Sequence, residues 1–190
     1  MKIAILGYSG SGKSTLARAI AKKTGIACLH LDSVHFLPGW VEKADEQART
    51  EVQAFLTAHA DWVIDGNYPA LCRAERLAAA DAILFVALPR VSCLVRVLRR
   101  TRTHRGRVRP DMAPGCPERV DAAFLWWVLC KGRGAAVRRR NREALAPYAG
   151  KVVRLTSQRA IDRFLADFPA SLPRFTPYFP RPRGKRGIPH

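Results

Sequence analysis

The feature that most constrains this chain is the segment GYSGSGKST at residues 7–15. It matches G-x-x-x-x-G-K-[ST], the pattern of a loop that wraps a phosphate with its backbone N–H groups. Glycine at positions 7 and 12 allows backbone angles that other residues rarely adopt, so the chain can approach the anion closely. The pattern predicts that Lys13 reaches the β- and γ-phosphates of a nucleotide and that the Ser14 hydroxyl ligates Mg²⁺. The residues that we predict to bind the nucleotide are Gly7, Ser9, Gly10, Ser11, Gly12, Lys13, Ser14 and Thr15.

The sequence around this loop supplies the strand and the helix that the motif requires. Residues 2–6 form a short apolar run, and residues 15–21 show the apolar spacing of a helix. Further apolar runs alternate with helical patterns, which predicts an α/β fold with a parallel sheet covered on both faces. The alternative, a Gly/Ser turn that binds nothing, does not account for this context. The predicted strands are 2–6, 27–30, 62–64, 82–87 and 151–155, and the predicted helices include 45–59, 89–103 and a last one to 167 that Ser157 caps.

The length and the charge of the chain limit its organisation and its partners. A chain of 190 residues is one domain, or one domain with a tail. We predict a domain over residues 1–167 and an unstructured, basic, proline-rich tail over residues 168–190. The formal net charge is +18, concentrated at residues 90–109, 131–142 and from 174 onward. This charge has three interpretations: binding of phosphate-bearing substrates, weak non-specific binding of nucleic acid, and the arginine-rich composition of the source genome.

The cysteine pattern and the hydropathy indicate a protein of the reducing cytoplasm. The five cysteines are scattered without a C-x-x-C pair, which argues against a disulfide framework and against a zinc site. No apolar run reaches the roughly 20 residues that span a bilayer. The first apolar stretch leads directly into the phosphate loop, unlike a signal peptide. We therefore expect no membrane partner.

One aspartate is placed to organise the metal ion. Asp65 follows the apolar run 62–64, at the carboxyl end of a predicted strand, where ligands bind in α/β folds. We predict that Asp65 and Ser14 hold Mg²⁺, with Asp65 acting directly or through water. The alternative is a carboxylate that only begins the turn Asp65-Gly66-Asn67.

A second aspartate is placed to act on the acceptor. Asp32 follows the second predicted strand and reaches the same edge of the sheet. We predict that it orients an acceptor hydroxyl and takes its proton late in the transfer. The alternative is an aspartate that makes a local backbone turn. For the neighbouring His30 and His35, a structural hydrogen bond is the commoner role.

Arginines cluster around a segment with no apolar period, residues 105–117, which we predict to be a mobile basic flap between two helices, the lid of the site. Arg96, Arg99 and Arg100 share one face of the helix that enters it. We predict that some of these arginines contact phosphate and that Arg100 is catalytic. The alternative is a solvated basic face. The other candidates are Arg105, Arg107 and Arg109 in the flap and Arg138, Arg139 and Arg140 after it.

Three tryptophans have competing interpretations. Trp126 and Trp127 lie in the apolar run FLWWVL, which predicts packing against the core in preference to base stacking. Trp40 lies in a loop after Asp32, where it can form a wall of the acceptor pocket or pack in the core.

Five stretches of the sequence together resemble one protein family. They are residues 7–15, residues 30–40 (HLDSVHFLPGW), residues 62–68 (WVIDGNY), residues 107–112 (RVRPDM) and residues 115–118 (GCPE). Over residues 1–167 the chain is similar to the topology-modulation proteins, which are adenylate-kinase-like members of the P-loop kinase class. The resemblance implies a five-stranded parallel sheet of nucleoside-monophosphate-kinase type in a three-layer P-loop NTPase fold, with the Arg-rich segment as lid. It also implies binding of ATP and Mg²⁺ through Gly7–Thr15.

The same resemblance bears on the acceptor. The stretch DGNYPA at residues 65–70 is similar to the adenylate-kinase stretch Asp-Gly-Phe-Pro-Arg. The arginine of that stretch, which binds AMP, has no counterpart here, because Ala70 occupies the nearest position. The pattern Asp32-x-x-x-Phe36 resembles uridine-kinase-like enzymes, in which the aspartate serves an acceptor hydroxyl.

The sequence therefore favours an ATP-dependent phosphotransferase that moves the γ-phosphoryl group to a small hydroxyl- or phosphate-bearing acceptor. The alternative is an ATP-regulated nucleic-acid-binding protein that affects DNA topology, with contacts through the basic lid and tail.

Overall fold

The computed structural model describes residues 1–168, and most of the predicted tail lies outside the described residues. The chain forms seven strands and eight α-helices in this range. The strands are β1 (Lys2–Gly7), β2 (Ala27–His30), β3 (Phe36–Leu37), β4 (Val41–Glu42), β5 (Trp62–Asp65), β6 (Ala82–Val86) and β7 (Val152–Leu155). The helices are α1 (Lys13–Thr24), α2 (Leu31–His35), α3 (Asp45–Ala58), α4 (Arg73–Ala79), α5 (Arg90–His104), α6 (Ala122–Leu129), α7 (Ala135–Leu145) and α8 (Gln158–Asp167).

Five strands form one parallel sheet in the order β2-β5-β1-β6-β7, with β1 in the centre. In the register, Ile5 pairs with Asp65 on one side of β1 and with Leu84 on the other. His30 of β2 pairs with Asp65. This alignment brings the ends of β1, β2 and β5 to the same edge, so the phosphate loop and both predicted acidic positions emerge together.

The sheet separates two hydrophobic layers, because successive residues of each strand point to opposite faces. Ile3 and Ile5 of β1 pack with residues of α1, α5, α6 and α8. Ala4 and Leu6 pack on the other face with residues of α2, α3 and α4. These residues are almost completely buried. The predicted three-layer α/β fold with a five-stranded parallel sheet is confirmed.

The local predictions are confirmed to within a residue or two at the sheet strands, α3, α5 and α8. Ser157 caps α8 as predicted, because its Oγ accepts a hydrogen bond of 3.1 Å from the backbone N–H of Ala160. The short antiparallel hairpin of β3 and β4 was not expected from the sequence, since each strand has only two residues. Phe168, the first residue of the predicted tail, is buried in the core beside α8.

The prediction for Trp126 and Trp127 is wrong. Their side chains are 56% and 42% exposed, whereas Val128 on the same helix is buried. Helix α6 has only eight residues and is apolar on all sides, so its sequence carries no periodicity that shows which side faces the core.

No helix within residues 1–168 combines the length and the apolar character that a membrane span requires.

Candidate active site

The phosphate loop lies between β1 and α1 and is closed by backbone geometry that only glycine allows. Gly7 has a φ of 146°, and a Cβ there would lie 2.1 Å from the carbonyl oxygen of Val86. Gly12 adopts a left-handed conformation, with a φ of 93°, at the N-cap of α1. The loop therefore ends at the positive N-terminus of a twelve-residue helix, which is a favourable place for a phosphate.

An asparagine that sequence reasoning did not assign holds the start of this loop. The side chain of Asn67 accepts a hydrogen bond of 3.1 Å from the Gly7 N–H and donates one of 2.7 Å to the Gly7 carbonyl. Both backbone groups of Gly7 are therefore satisfied by one side chain from the loop after β5. The residue stood in the DGNY stretch, but nothing in that stretch predicts its contact with residue 7.

Lys13 is the first residue of α1 and directly follows Gly12 of the phosphate loop. Its Nζ donates a hydrogen bond of 3.1 Å to the carbonyl oxygen of Tyr8. Burial lowers the pKa of Lys13, and the charges of Asp32 and Asp65 oppose that shift. Both carboxylates are therefore close enough to act on this ammonium group electrostatically.

Ser14 and Asp65, the two predicted metal ligands, are in contact. The Ser14 Oγ donates a hydrogen bond of 2.8 Å to Asp65 Oδ2, and Asp65 is buried. A hydroxyl and a carboxylate are the hard oxygen donors that Mg²⁺ prefers, and the ion commonly takes its remaining ligands from water and phosphate. Within residues 1–168 no group of three or more His, Cys, Asp or Glu side chains forms an all-protein metal cage. The donor set fits a magnesium ion that is shared with a nucleotide.

His30 contacts the other oxygen of Asp65. Its Nδ1 is hydrogen-bonded to Asp65 Oδ1, and its Nε2 lies 3.7 Å from the Cys28 Sγ. Burial alone would lower the pKa of His30, but the hydrogen bonds to Asp65 and Cys28 raise it to about 10. His30 therefore makes a structural hydrogen bond, the commoner role for a histidine at such a position, and it orients the Asp65 carboxylate beside Ser14.

Asp32 lies in the first turn of α2 and is held by a tyrosine. The Tyr68 hydroxyl donates a hydrogen bond of 2.7 Å to Asp32 Oδ1. Burial raises the pKa of Tyr68, and the negative charge of Asp32 raises it further, so the phenol remains a donor. The Tyr68 ring packs on His35, with centroids 4.4 Å apart. Sequence reasoning missed Tyr68, although it lies three residues after Asp65.

These groups line one open cleft of about 1290 Å³, which extends from the phosphate loop to the hairpin and α7. Cationic side chains outnumber carboxylates along it by nine to four. Its carboxylates are Asp32, Asp65, Asp111 and Asp121, and its cationic side chains are Lys13, Arg18, Arg73, Arg96, Arg99, Arg100, Arg109, Arg119 and Arg140.

The arginines that were grouped by sequence have different environments. Arg96 donates a hydrogen bond of 3.2 Å to the Ser11 carbonyl, so it supports the back of the phosphate loop. Arg100 and Arg109 line the cleft. The remaining flap arginines, Arg105 and Arg107, are exposed, as are Arg138 and Arg139.

Two buried carboxylates hold the cleft arginines in place. Glu118 Oε1 lies 2.7 Å from Arg100 Nε, and its Oε2 lies 2.7 Å from Arg109 Nε. Asp111 accepts from Arg109 Nη1 at 2.6 Å and from Arg18 Nη1 at 3.1 Å. The network joins α5, the segment 105–121 and α1. Burial and the positive charge of Arg109 lower the pKa of Arg100, and the negative charge of Glu118 partly offsets this decrease.

The predicted flap packs on the hairpin through a small hydrophobic cluster. Met112, Ala113 and Cys116 are buried there against Phe36 and Trp40. Trp40 packs against this cluster and also lines the cleft, and its role as a wall of the acceptor pocket stays a prediction. The guanidinium of Arg119 lies 5.4 Å from the Trp40 ring centroid.

Comparison with known proteins agrees with this geometry at the level of the fold. Residues 3–64 match the sequence model of the AAA family, ATPases associated with various cellular activities. This range contains β1, the phosphate loop and α1. No protein of curated function matches the chain significantly.

Solved structures align with most of this chain, and two of them do so with a TM-score of 0.50 or more. A deoxyadenosine kinase from M. mycoides with bound dATP aligns with a TM-score of 0.54 and 14% identity, over 87% of this chain and 98% of that one. A provisionally assigned kinase from Chloroflexus aurantiacus aligns with a TM-score of 0.50 and 14% identity, over 86% and 94%. A sugar kinase from Janibacter sp. HTCC2649 aligns with a TM-score of 0.49 and 16% identity, over 87% and 92%. The chain has the P-loop NTPase fold, which it shares with kinases. None of these matches is to the topology-modulation family, so that resemblance stays a prediction.

Proposed function

We propose that this protein is a P-loop kinase that transfers the γ-phosphoryl group of ATP to a small acceptor. One observation carries the proposal: Lys13, Asp32 and Asp65 line the same cleft at the phosphate loop, with Asp65 at the end of β5 and Asp32 just after the neighbouring strand β2. Asp65 is bonded to Ser14, as a magnesium-organising acid would be, whereas Asp32 is bonded to Tyr68. A phosphoryl transfer needs one carboxylate that organises the metal ion at the nucleotide and a second that acts on the acceptor, and Asp65 and Asp32 can supply these two groups.

The nucleotide half of the site consists of the loop, Lys13, Ser14 and Asp65. The loop amides and Lys13 bind the β- and γ-phosphates, and Lys13 exchanges its bond to the Tyr8 carbonyl for a phosphate oxygen. Ser14 and Asp65 bind Mg²⁺, whose charge offsets that of the phosphates. His30 keeps Asp65 oriented.

The acceptor half is centred on Asp32. Its carboxylate accepts a hydrogen bond from the acceptor hydroxyl and aligns the oxygen with the γ-phosphorus. The new bond joins that oxygen to phosphorus, and the bond from phosphorus to the bridging oxygen breaks to release ADP. Asp32 takes the hydroxyl proton late in this step. Tyr68 keeps the carboxylate in the productive orientation.

Arg100 stabilises the charge that develops on the transferred group. Glu118 bonds its Nε, which leaves its terminal nitrogens for the phosphate oxygens. The side chain lines the same cleft as the phosphate loop, where a cation held in place can stabilise developing negative charge.

The test is phosphate transfer from radiolabelled ATP to nucleosides, nucleotides, sugars and small alcohols. We expect Lys13→Ala to lower turnover at least about 100-fold, whereas Lys22→Ala, which removes an exposed lysine of α1, leaves it unchanged. Asp32→Asn should lower transfer about 100-fold or more while ATP affinity changes little. The matched control is Asp167→Asn at an exposed position of α8. Full transfer by Lys13→Ala contradicts the mechanism, and equal losses of transfer and ATP binding in Asp32→Asn give that residue a structural role.

The second candidate function is ATP-regulated binding of nucleic acid, which the net charge of +18 favours. It is tested by salt-dependent DNA binding of the full chain and of a variant ending at residue 168. That boundary retains Phe168, which is part of the core. DNA affinity that remains in the shortened variant and responds to ATP favours this function. DNA affinity that is lost with residues 169–190 shows that the basic residues that bind DNA lie outside the cleft, which contradicts it.

A further inference from the structure

The Asp32 end of the cleft has an aromatic wall. Phe36 follows Asp32 by one helical turn, and its backbone N–H donates to the Asp32 carbonyl. Trp40 packs edge to face on Phe36, with ring centroids 5.3 Å apart and an interplanar angle of 66°. Both aromatic side chains line the cleft that contains Asp32 and Lys13.

Trp40 is held in a conformation that costs free energy. Its φ is 67°, and it follows Gly39 with a φ of 80°. A bulky residue with positive φ is uncommon and persists only where its surroundings fix it. Here the Gly39 N–H donates to the Gly115 carbonyl at 2.9 Å, and the Trp40 Nε1 donates to the Pro117 carbonyl at 3.0 Å. Such strain concentrates at ligand-binding positions.

The surroundings of this wall are mainly apolar or ion-paired, apart from the exposed Arg119, whose guanidinium lies 5.4 Å from the Trp40 ring centroid. Met112 is buried against Phe36 and Trp40. The neighbouring Asp111 is ion-paired with Arg109 and Arg18, so its charge is already compensated. The end of the cleft at Asp32 therefore combines a carboxylate with the surface of two partly buried aromatic rings.

We propose that Phe36 and Trp40 determine acceptor specificity by binding a ring that carries the reactive hydroxyl. The inference rests on the proposed phosphotransferase activity and deepens it by naming the class of acceptor. An acyclic alcohol leaves the aromatic surface uncovered, whereas a ring covers it with a π face or with an apolar C–H face. A nucleoside and a pyranose share this chemistry, and the experiment separates them.

The experiment compares adenosine, thymidine and methyl glucoside with glycerol and L-serine as acceptors of phosphate from ATP. The variants are Phe36→Leu and Trp40→Leu, which remove a ring but remain apolar. The control is Trp126→Leu, because that side chain is 56% exposed and lies outside the cleft lining. We expect transfer to a ring compound, and a KM for it that rises about tenfold or more in both variants with the KM for ATP unchanged. The inference is overturned if the wild type transfers phosphate faster to glycerol or L-serine than to any ring compound. It is also overturned if Phe36→Leu has the same KM for the ring compound as the wild type.

Binding of the same compounds separates this inference from the proposed function. Ligand-observed NMR measures it on the full chain with a non-hydrolysable ATP analogue and Mg²⁺. A ring compound that binds to the wild type and to Trp126→Leu but not to Phe36→Leu supports the aromatic subsite, even if nothing is phosphorylated. Phosphorylation of the acyclic alcohols alone supports the kinase and overturns the aromatic subsite. Failure of every ring compound both to bind and to react overturns the subsite as well.

Discussion

The hydroxyl of Tyr68 lies 2.7 Å from Asp32 Oδ1 and joins the loop after β5 to the first turn of α2. The two residues are 36 positions apart in the sequence. The bond gives the proposed acceptor-orienting carboxylate a fixed donor, so removing the hydroxyl tests whether orientation matters for the reaction.

Replacing Tyr68 by Phe should lower kcat about tenfold, because a hydrogen bond to a charged group contributes roughly 1.5–3 kcal/mol. The ring remains packed on His35, so we expect the melting temperature to fall by only a few degrees. Steady-state kinetics and thermal melts of Tyr68→Phe measure the two effects. A lower melting temperature with unchanged kcat would give Tyr68 a structural role only.

Replacing Asp65 by Asn should raise the Mg²⁺ concentration that gives half-maximal activity about tenfold or more, because the carboxylate supplies negative charge to the ion. The experiment is a magnesium titration of ATP turnover, with Asp167→Asn as the control. A magnesium dependence identical to that of the wild type would contradict the assigned metal ligand.

Replacing Gly7 by Ala should prevent nucleotide binding and destabilise the fold, because the new Cβ would lie 2.1 Å from the Val86 carbonyl oxygen. Gly25→Ala is the matched control, since its φ is also positive, at 76°, but no atom lies within 4 Å of the new Cβ. We expect thermal melts to show the larger loss for Gly7→Ala. Equal losses in the two variants would mean that backbone strain, rather than the close contact with β6, decides the effect.

Replacing Asp111 by Asn should lower the free energy of unfolding by about 2 kcal/mol at neutral pH, because the charge-assisted hydrogen bonds from Arg109 and Arg18 weaken while Glu118 still pairs with Arg109. Burial would raise the pKa of Asp111, but Arg109 and Arg18 lower it below the ordinary value of 3.8. A carboxylate whose pKa is lowered by folding stabilises the fold at pH values above its unfolded-state pKa. This contribution is lost as the pH falls through the lower, folded-state pKa.

Denaturant unfolding of wild type and Asp111→Asn at several pH values checks this prediction. The difference in free energy of unfolding should be largest above pH 3.8 and should shrink as the pH falls further. A difference that is the same at pH 3 and pH 7 would show that the charge of Asp111 does not stabilise the fold.

The sequence by itself determined the elements whose signals are local. The phosphate loop was readable because glycine spacing, Lys13 and Ser14 lie within nine consecutive residues. The five sheet strands were readable because each is a short apolar run, and the carboxyl ends of parallel strands meet at one edge. This rule predicted that Asp32 and Asp65 would lie at the same edge, and both line the cleft at the phosphate loop together with Lys13.

Only the tertiary structure decided the partners of these groups. The contacts of Tyr68 with Asp32 and of Glu118 with Arg100 depend on how separate loops pack, and no periodicity encodes that. The exposure of Trp126 was likewise undetermined, because α6 is apolar on all sides and the chain could bury either face. Local patterns therefore fixed where the strands end and which chemistry stands there. The fold, by placing distant side chains in contact, decided how each reactive group is held.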